Sequence, residues 1–418
     1  MILPRSEVVW LGPNKMFGHL AHLSKNLWNQ ANYIIRQEMF ATGRTVGFRE
    51  LRGSLRDSLN YKGLPAQTAE YTLLMVEAAW YAYHKAHEDW KFHPEKYLAE
   101  PRFPGYKAKD GQFIVGFTNQ QSRLKDGVFT VLPKLLGLKI RTRLPNGTKI
   151  TGARVLPKGV GYQFEITYEK EVDVKKEKMK IELDKEDGTY KGPLNHRILG
   201  LDAGAENLLA TANNIGTPPI LFKGGPVKSV NQYYNKKKAK LQGQYAVQHL
   251  GTGPALQRLS LKRDRRINDY FHRVTKLIVL YCKMWEIDVL VIGRNKNWKQ
   301  GINLGARNNQ MFVNIPFHRL WKMLRYKAEE AGITVIEVEE DYTSICSLLD
   351  RESIEHHEVY MGKRIKRGLF RTAKGGLINA DVNGAGNTIR KVFPNAMDKV
   401  IADGIEGVSI SPIRAVVY

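Results

Sequence analysis

The stretch ILGLDAG, Ile198 to Gly204, decides the fold class. Its apolar run predicts a buried strand, and Asp202 stands near the end of that strand, beside a glycine that permits a tight turn. A carboxylate at the end of a buried strand costs free energy unless it is paired or binds a metal. The stretch therefore predicts a functional acid in an α/β domain, although an ordinary turn acid would give the same local pattern.

A second acid follows in LINADVNGAGN, Leu377 to Asn387. Asp381 stands at the start of a predicted helix, whose first turn also carries Asn383. Two acids held on one sheet can carry two Mg²⁺ ions, which activate water and stabilise the leaving oxygen in phosphodiester cleavage. On the local pattern alone, Asp381 could equally be the N-cap of its helix.

The composition points to a polyanionic partner. The 418-residue chain has a formal charge of +24, from 65 Lys and Arg residues against 41 Asp and Glu residues. Nucleic acid is the simplest partner, although a basic protein without one, or a protein that binds anionic membrane, would share this charge. No run is long and apolar enough to span a bilayer, and two cysteines cannot form a disulfide framework. We expect a cytoplasmic protein without a membrane partner.

The chain divides into three regions with different sequence patterns. Residues 16–95 carry apolar side chains at helical spacing. Residues 96–190 hold short alternating runs separated by turn signals, which predict a small antiparallel barrel or sandwich, with a charged linker or hairpin after residue 172. Residues 191–418 alternate between strands and basic helices, so we expect a mixed α/β domain there.

The order of these motifs resembles that of the TnpB proteins of transposons, relatives of the type V CRISPR effector nucleases. The shared order is strand–acid–Gly, a long basic helical stretch, a strand ending near position 293, TS-x-C and then DVN-x-A-x-N. It is the order of a split RuvC nuclease domain. The resemblance covers residues 196–392 well and the earlier regions more loosely.

This resemblance implies a multidomain α+β protein. It implies an RNase H-like (RuvC) α/β nuclease domain over 191–418, with a degenerate zinc-knuckle insert at about 344–378. It further implies a β-barrel wedge domain over 1–15 and 96–190 and a helical recognition domain over 16–95.

The resemblance also implies an activity, namely RNA-guided cleavage of DNA by an Mg²⁺-dependent endodeoxyribonuclease with two metal ions. The guide RNA would come from a transposon end or a CRISPR-like locus. The target would be double-stranded DNA with a short flanking motif, and base pairing would read the sequence. The first and third family acids carry over to Asp202 and Asp381. A prokaryotic protein, nucleoid-associated when bound, would follow.

The chain departs from the family pattern at two places. The family usually has a Glu at the end of the DVLVIGRN strand, where this chain has Gly293. The family also usually carries CxxC twice, a strong zinc signature. Here Cys346 lacks the other cysteines, and LFRTAKGG replaces the second pair. We expect no structural zinc and interpret Cys346 as the remnant of a knuckle.

The acids that follow the strand GITVIEV offer a replacement for the missing Glu. In an RNase H-like sheet this strand would lie beside the DVLVIGRN strand. Strand alternation places Glu340 at the end of an otherwise apolar row, so we favour it, with Glu339 as the alternative third acid. The predicted catalytic and metal-binding set is therefore Asp202, Glu340 and Asp381. The EE-x-YTS run is typical of a branch of the family with a rearranged RuvC site.

Two other functions stay open. The acids could form a solvated strand end, which would leave a catalytically inactive RNA-guided DNA-binding protein that acts as a transcriptional repressor. A structural RNA-binding protein without a DNA target is the third hypothesis. The candidates for nucleic-acid contacts lie in basic or aromatic-bearing stretches and are Arg102, Lys107, Gln120, Lys236, Lys237, Arg265, Arg266, Lys363 and Arg364.

Overall fold

The computed structural model of the chain describes residues 2–172, 181–294, 314–403, 412–415 and 417. They divide into two compact units, Met1–Val172 and Asp173–Tyr418. Residues 173–180, which belong to the predicted charged linker, lie outside the described residues.

The helices of the first unit confirm the helical periodicity over residues 16–95. Asn14 begins the first of them, because its side chain accepts the Phe17 N–H at 3.0 Å, and Gly43 ends it in a left-handed conformation at φ 72°. The helices are α1 (Lys15–Thr42), α2 (Phe48–Leu55), α3 (Leu59–Lys62), α4 (Ala66–Phe92) and a short α5 (Pro133–Leu136).

The strands of the first unit form two antiparallel sheets. They are β1 (Ile2–Leu11), β2 (Val115–Thr118), β3 (Ser122–Lys125), β4 (Val128–Val131), β5 (Leu138–Arg141), β6 (Ile150–Lys158) and β7 (Gly161–Glu171). One sheet has the order β1-β7-β6-β2 and the other β3-β4-β5. β1 pairs with β7 along its whole length, so the N-terminal strand belongs to the β-module that follows the helices.

Helices and strands of the first unit share one hydrophobic core. Trp28 and Trp80 from the helices lie in the same buried cluster as Phe117 and Phe164 from the strands. The sequence predicts a helical domain that is separate from a β-domain beginning at residue 96. In the structure that division runs through one continuous core, because the apolar faces of the helices are covered by the strands.

The second unit is built on a six-stranded mixed sheet of order β12-β11-β8-β9-β10-β16. β8, β9 and β10 are antiparallel neighbours, whereas β11 is parallel to both β8 and β12. The strands are β8 (Ile198–Ala203), β9 (Asn207–Asn213), β10 (Ile220–Lys223), β11 (Val289–Gly293), β12 (Thr334–Val338) and β16 (Ile413–Ala415). A separate antiparallel sheet consists of β13 (Lys363–Lys366), β14 (Leu369–Arg371) and β15 (Leu377–Asn379).

Helices cover both faces of the large sheet. They are α6 (Gly225–Val247), α7 (Pro254–Met284), α8 (Phe317–Glu330), α9 (Ala380–Val392) and α10 (Asp398–Ala402). Leu199 and Leu201 pack with α7 and α8, whereas Ile198 points to the other face and packs with α9. This alternation explains the continuous apolar sequence of β8, since both of its faces are buried. None of the helices among the described residues has the length and apolarity to cross a membrane.

The segment 181–190 also belongs to the second unit. Ile181, Leu183 and Tyr190 pack against its core, and the Tyr190 N–H donates to the Val392 carbonyl at 2.7 Å. The predicted domain boundaries place this segment with the β-module instead. Its apolar residues are too widely spaced among charged ones to reveal the partner that covers them.

Candidate active site

The carboxyl ends of β8, β11 and β12 meet at one edge of the sheet, where the predicted acids converge. Asp202 lies within β8 and is paired with Ala210 of β9, so it is a strand residue and not a turn acid. Ile292 of β11 pairs with Leu201, which places Gly293 beside Asp202 on a neighbouring strand about 4.8 Å away. The predicted pairing of the GITVIEV strand with the DVLVIGRN strand is confirmed.

Glu340 lies directly over Gly293. Gly293 pairs with Val338, and the chain leaves β12 two residues before Glu340. A β-carbon added to Gly293 would lie 2.5 Å from Glu340 Cγ and 2.9 Å from its Cδ, which is closer than real contacts allow. The absence of a side chain at residue 293 therefore creates the space that the Glu340 side chain occupies.

Asp381 reaches the same edge from helix α9. The N-cap of this helix is Asn379, whose side chain accepts the Asp381 N–H at 3.0 Å. The N-cap alternative for Asp381 is therefore wrong, and its carboxylate is available for other contacts. Asn207 Nδ2 donates to Asp381 Oδ2 at 2.6 Å, and Arg364 forms an ion pair with Oδ1 at 3.6 Å.

Helix α9 also approaches Asp202 closely at a glycine. A β-carbon added to Gly384 would lie 3.1 Å from both Asp202 Cγ and Oδ2. Gly384 lies one turn after Asp381 on α9. The start of helix α9 thus brings Asp381 close to β8, the strand that carries Asp202.

The pKa values of the acids at this sheet edge are shifted because several carboxylates lie close together and are partly buried. Burial raises the pKa of Asp202 well above its ordinary value, and repulsion from Glu340 and Asp381 adds to this, while Arg364 opposes it. Burial, together with repulsion from Asp341, raises the pKa of Glu340 to about 7. Within the described residues, the buried Oε1 of Glu340 has no hydrogen-bond partner.

The three acids suit a hard divalent cation, because carboxylate oxygens are the ligands that Mg²⁺ prefers. An unpartnered buried oxygen and mutually repelling carboxylates are what a cation would stabilise. Arg364 now supplies positive charge there through its contact with Asp381. In the part of the chain that the structure describes, no three His, Cys, Asp or Glu side chains are grouped closely enough to hold a metal ion. The acids thus share an edge without forming a preassembled centre.

The raised pKa of Glu340 gives a testable stability effect in the metal-free protein. Its ordinary value is 4.5 and its folded value about 7, so the folded state holds the proton more tightly. The associated stability is present below pH 4.5 and is lost as the pH rises through 7. We expect Glu340→Gln to raise the Tm in EDTA at pH 8 by about 2–4 °C, with the gain vanishing towards pH 4.5. Calorimetry across this range, with Glu339→Gln as the control, measures it, and a gain that is independent of pH would contradict the assignment.

Glu339 lies in a different environment. Its side chain is exposed, and its backbone carbonyl accepts a hydrogen bond from Lys391 Nζ at 2.9 Å. The carboxylate that lies over Gly293 and raises the pKa of Asp202 is that of Glu340. Between the two candidates for the third acid, the geometry favours Glu340.

The predicted knuckle insert is held by carboxylates. Glu352 is buried, and its two oxygens accept the N–H groups of Ser347 at 2.6 Å and Met361 at 2.7 Å. Asp350 Oδ2 accepts from the Ser347 hydroxyl at 2.6 Å and from the Ala373 N–H at 2.8 Å. These bonds link the two arms of the insert, which is the task of a metal in a zinc knuckle.

Both cysteines are buried free thiols. Cys346 donates to the Glu355 carbonyl with a 3.6 Å separation of sulfur and oxygen, and burial raises its pKa. Cys282 lies in the core beside α8, and burial raises its pKa to about 12.

The candidates for nucleic-acid contacts divide into three groups. Lys107 Nζ lies 4.3 Å from the centre of the Trp28 ring and 4.8 Å from that of Phe113, so this ammonium has a packing role. Gln120 accepts a hydrogen bond from Gln67 at 2.7 Å. The remaining candidates have exposed side chains and are Arg102, Lys236, Lys237, Arg265, Arg266, Lys363 and Arg364.

Two neighbours of Asp381 were not predicted from the sequence. Asn207 contacts Asp381 across 174 positions of the chain, and no local pattern distinguishes it from an ordinary surface residue. Arg364 was predicted as a nucleic-acid contact and not as a partner of Asp381. Gly293 was noted as a missing acid, whereas the structure shows it as the space that Glu340 fills. The sequence did contain a signal for this contact, namely a glycine at the end of one apolar strand and a run of acids at the end of the strand predicted to lie beside it.

Comparisons with known proteins agree with this architecture. Residues 167–299 match the OrfB_IS605 family, described as a probable transposase, and residues 317–388 match the TNB domain of Cas12f1-like proteins. The solved Cas12f1–sgRNA–target DNA complex resembles the chain with a TM-score of 0.53 at 13% identity, over 90% of this chain and 82% of that one. This likeness concerns the fold alone, a mixed α/β multidomain protein.

Curated relatives extend the match. The chain is 26% identical to the CRISPR-associated endodeoxyribonuclease Cas12f1 of Sulfoacidibacillus thermotolerans, over 50% of this chain and 48% of that protein. It is 24% identical to the TnpB-like protein ORF457 of Acidianus two-tailed virus, over 99% of this chain and 92% of that protein. Two family models and a relative that matches 99% of this chain agree, and together they support the resemblance to the TnpB family.

Proposed function

We propose that this chain is an RNA-guided, Mg²⁺-dependent DNA endonuclease whose third acid has moved from β11 to the end of β12. The observation that carries the proposal is the Glu340 side chain lying over Gly293, next to Asp202. A decayed site would have no reason to keep, beside two other acids, a buried carboxylate oxygen that has no hydrogen-bond partner among the described residues.

The strand order supports an RNase H-like, RuvC-type nuclease domain. Three antiparallel neighbours, β8 to β10, are extended on the β8 side by two parallel strands, and the acids stand at the carboxyl ends of β8 and β12. Ligands of mixed α/β sheets commonly bind at this edge. We assign the two-sheet β-module to the wedge and helices α1 to α4 to target recognition.

Asp202, Glu340 and Asp381 would hold the metal. When bound, two Mg²⁺ ions would supply activation of water and stabilisation of the leaving oxygen in phosphodiester cleavage. Asn207 orients the Asp381 carboxylate by its hydrogen bond. Arg364 neutralises part of the acidic charge in the metal-free state and stands on the exposed strand β13, where it can contact a phosphate instead.

The exposed basic side chains of α6 and α7 supply a surface for nucleic acid. Lys236 and Lys237 lie on α6, and Arg265 and Arg266 lie on α7, all with exposed side chains. α6 buries little apolar surface, with only Val227 and Asn231 buried among its described side chains. Helices that are polar over most of their surface suit the backbone of a guide–target duplex, which is recognised by charge and shape.

One observation favours the inactive alternative. Arg364 contacts Asp381, and the described acids form no preassembled metal group. A chain whose arginine permanently replaced the metal would bind guide RNA and DNA without cutting, as a repressor does.

A single experiment separates these functions. The full chain is purified from cells, its bound RNA is sequenced, and the complex is incubated with a plasmid library in Mg²⁺ or EDTA. We expect an RNA with one defined segment and Mg²⁺-dependent cleavage beside a short motif, both in the wild type. Asp202→Asn should keep RNA and DNA binding but lose cleavage. Wild-type binding without cleavage would establish the repressor, and RNA of random sequence would contradict guided recognition altogether.

A further inference from the structure

Helix α9 carries one acid of the site and also holds the backbone that follows another. We call residues 340–348 the acid turn. Asn387 of α9 is fully buried, and its Nδ2 donates to the Thr343 carbonyl at 3.0 Å and to the Cys346 carbonyl at 2.8 Å. Asp381 stands in the first turn of the same helix.

Thr343 connects Asn387 to Glu340. Its hydroxyl donates to the Glu340 carbonyl at 2.8 Å, and its N–H donates to the same oxygen at 3.2 Å. Thr343 is 1% exposed, so water does not compete for these bonds. Asn387 thus holds the carbonyl of Thr343, and the hydroxyl and N–H of the same residue hold the carbonyl of Glu340, so the link runs through the covalent backbone of Thr343.

Two further side chains of α9 hold the same segment or the residue directly before it. Asn383, also fully buried, donates to the Cys346 carbonyl at 2.9 Å and accepts the Leu348 N–H at 2.9 Å. Lys391 donates to the Glu339 carbonyl. All of these contacts go to backbone groups, so they fix where the turn lies whatever side chains it carries. The turn cannot shift relative to Asp381 without breaking buried hydrogen bonds, each of which is costly to leave unmade.

We propose that Asn387 is a positioning residue for Glu340, acting through Thr343 to set the place of that carboxylate relative to Asp381 for a divalent cation. The inference rests on the proposed function, because it takes Glu340 and Asp381 as ligands of one metal site. It assigns a role to a buried amide that touches neither metal nor substrate. Residues that orient metal ligands commonly change metal affinity by about 10- to 100-fold.

The test measures metal binding directly, with Mn²⁺ as the probe and the full-length protein free of RNA. Isothermal titration calorimetry compares the wild type with Asn387→Asp, which keeps the shape but loses the two donated hydrogen bonds. Thr343→Val removes the hydroxyl link, and Thr343→Ser restores it. Glu340→Gln defines which part of the binding depends on that acid. We expect about tenfold weaker Glu340-dependent binding for Asn387→Asp and Thr343→Val, and near wild-type binding for Thr343→Ser.

The variants include results that would contradict the positioning role of Asn387. Where Asn387→Asp fails to fold, Asn387→Ala takes its place, because it removes both donated hydrogen bonds without adding a charge. The valine and serine pair at residue 343 tests the link from Thr343 to Glu340. Wild-type affinity in Thr343→Val, or equal losses in Thr343→Val and Thr343→Ser, would overturn the positioning role. DNA cleavage is measured in parallel on the wild type. A wild type that binds Mn²⁺ through Glu340 yet does not cleave would overturn the proposed nuclease but not the positioning role, which the variants then support or refute.

Discussion

Glu340→Gln is expected to lower Mg²⁺-dependent DNA cleavage by about 100- to 1,000-fold while leaving the protein folded. The substitution keeps the side chain's shape over Gly293 but removes the negative charge that a divalent cation needs. Because burial disfavours the charged carboxylate of Glu340 in the metal-free protein, the same variant should be more stable than the wild type at pH 8. Lost activity with gained stability distinguishes a ligand from a structural residue.

The matched control is Glu339→Gln. It makes the same chemical change one residue away, on an exposed side chain whose backbone contact with Lys391 is untouched. Single-turnover cleavage at saturating target DNA should be close to wild type for Glu339→Gln. Equal losses in both variants would indicate a general effect of charge at the strand end, and a loss confined to Glu339→Gln would reverse the assignment.

The sequence predicts the candidate site because each acid stands at a recognisable boundary. Asp202 ends an apolar strand, Glu340 follows another, and Asp381 opens a helix. Such boundaries are local, so periodicity and turn residues predict them. The contacts that complete the site are different, because Asn207 with Asp381 joins residues far apart in the chain. They depend on strand order, which local patterns do not encode.

The secondary structure of the fold could also be predicted from the sequence, whereas the packing between its elements could not. The helices α1 and α4 and the alternating strands of the β-module follow directly from their sequence periods. The period of the apolar residues shows that one face of a helix or strand is apolar, but it does not show which neighbouring element covers that face. The shared core of the first unit was therefore missed. Lys107 illustrates the same limit, since a lysine among aromatic residues suits nucleic acid and a cation–π contact equally well.

The proposed move of the third acid from β11 to the end of β12 is expected to be reversible when the residues at positions 293 and 340 are exchanged. Gly293→Ala should reduce cleavage by about tenfold or more, because its β-carbon would displace the Glu340 side chain. Gly53→Ala is the matched control, since an added β-carbon there meets no heavy atom within 4 Å among the described residues. Gly293→Glu alone should be worse than Gly293→Ala, because two carboxylates would compete for one space.

The double variant Gly293→Glu with Glu340→Gly then moves the acid back to the strand on which the family usually carries it. The new side chain would start beside Asp202, because residue 293 follows the Ile292–Leu201 pair of adjacent strands. Removing Glu340 empties the space that the new glutamate needs. We expect the double variant to cleave at least about ten times faster than Glu340→Gly alone, measured as single-turnover rates across an Mg²⁺ titration. If the loss of activity in the double variant equalled the sum of the losses in Gly293→Glu and Glu340→Gly, the two positions would not serve one metal site. Only residues that share a role can rescue each other.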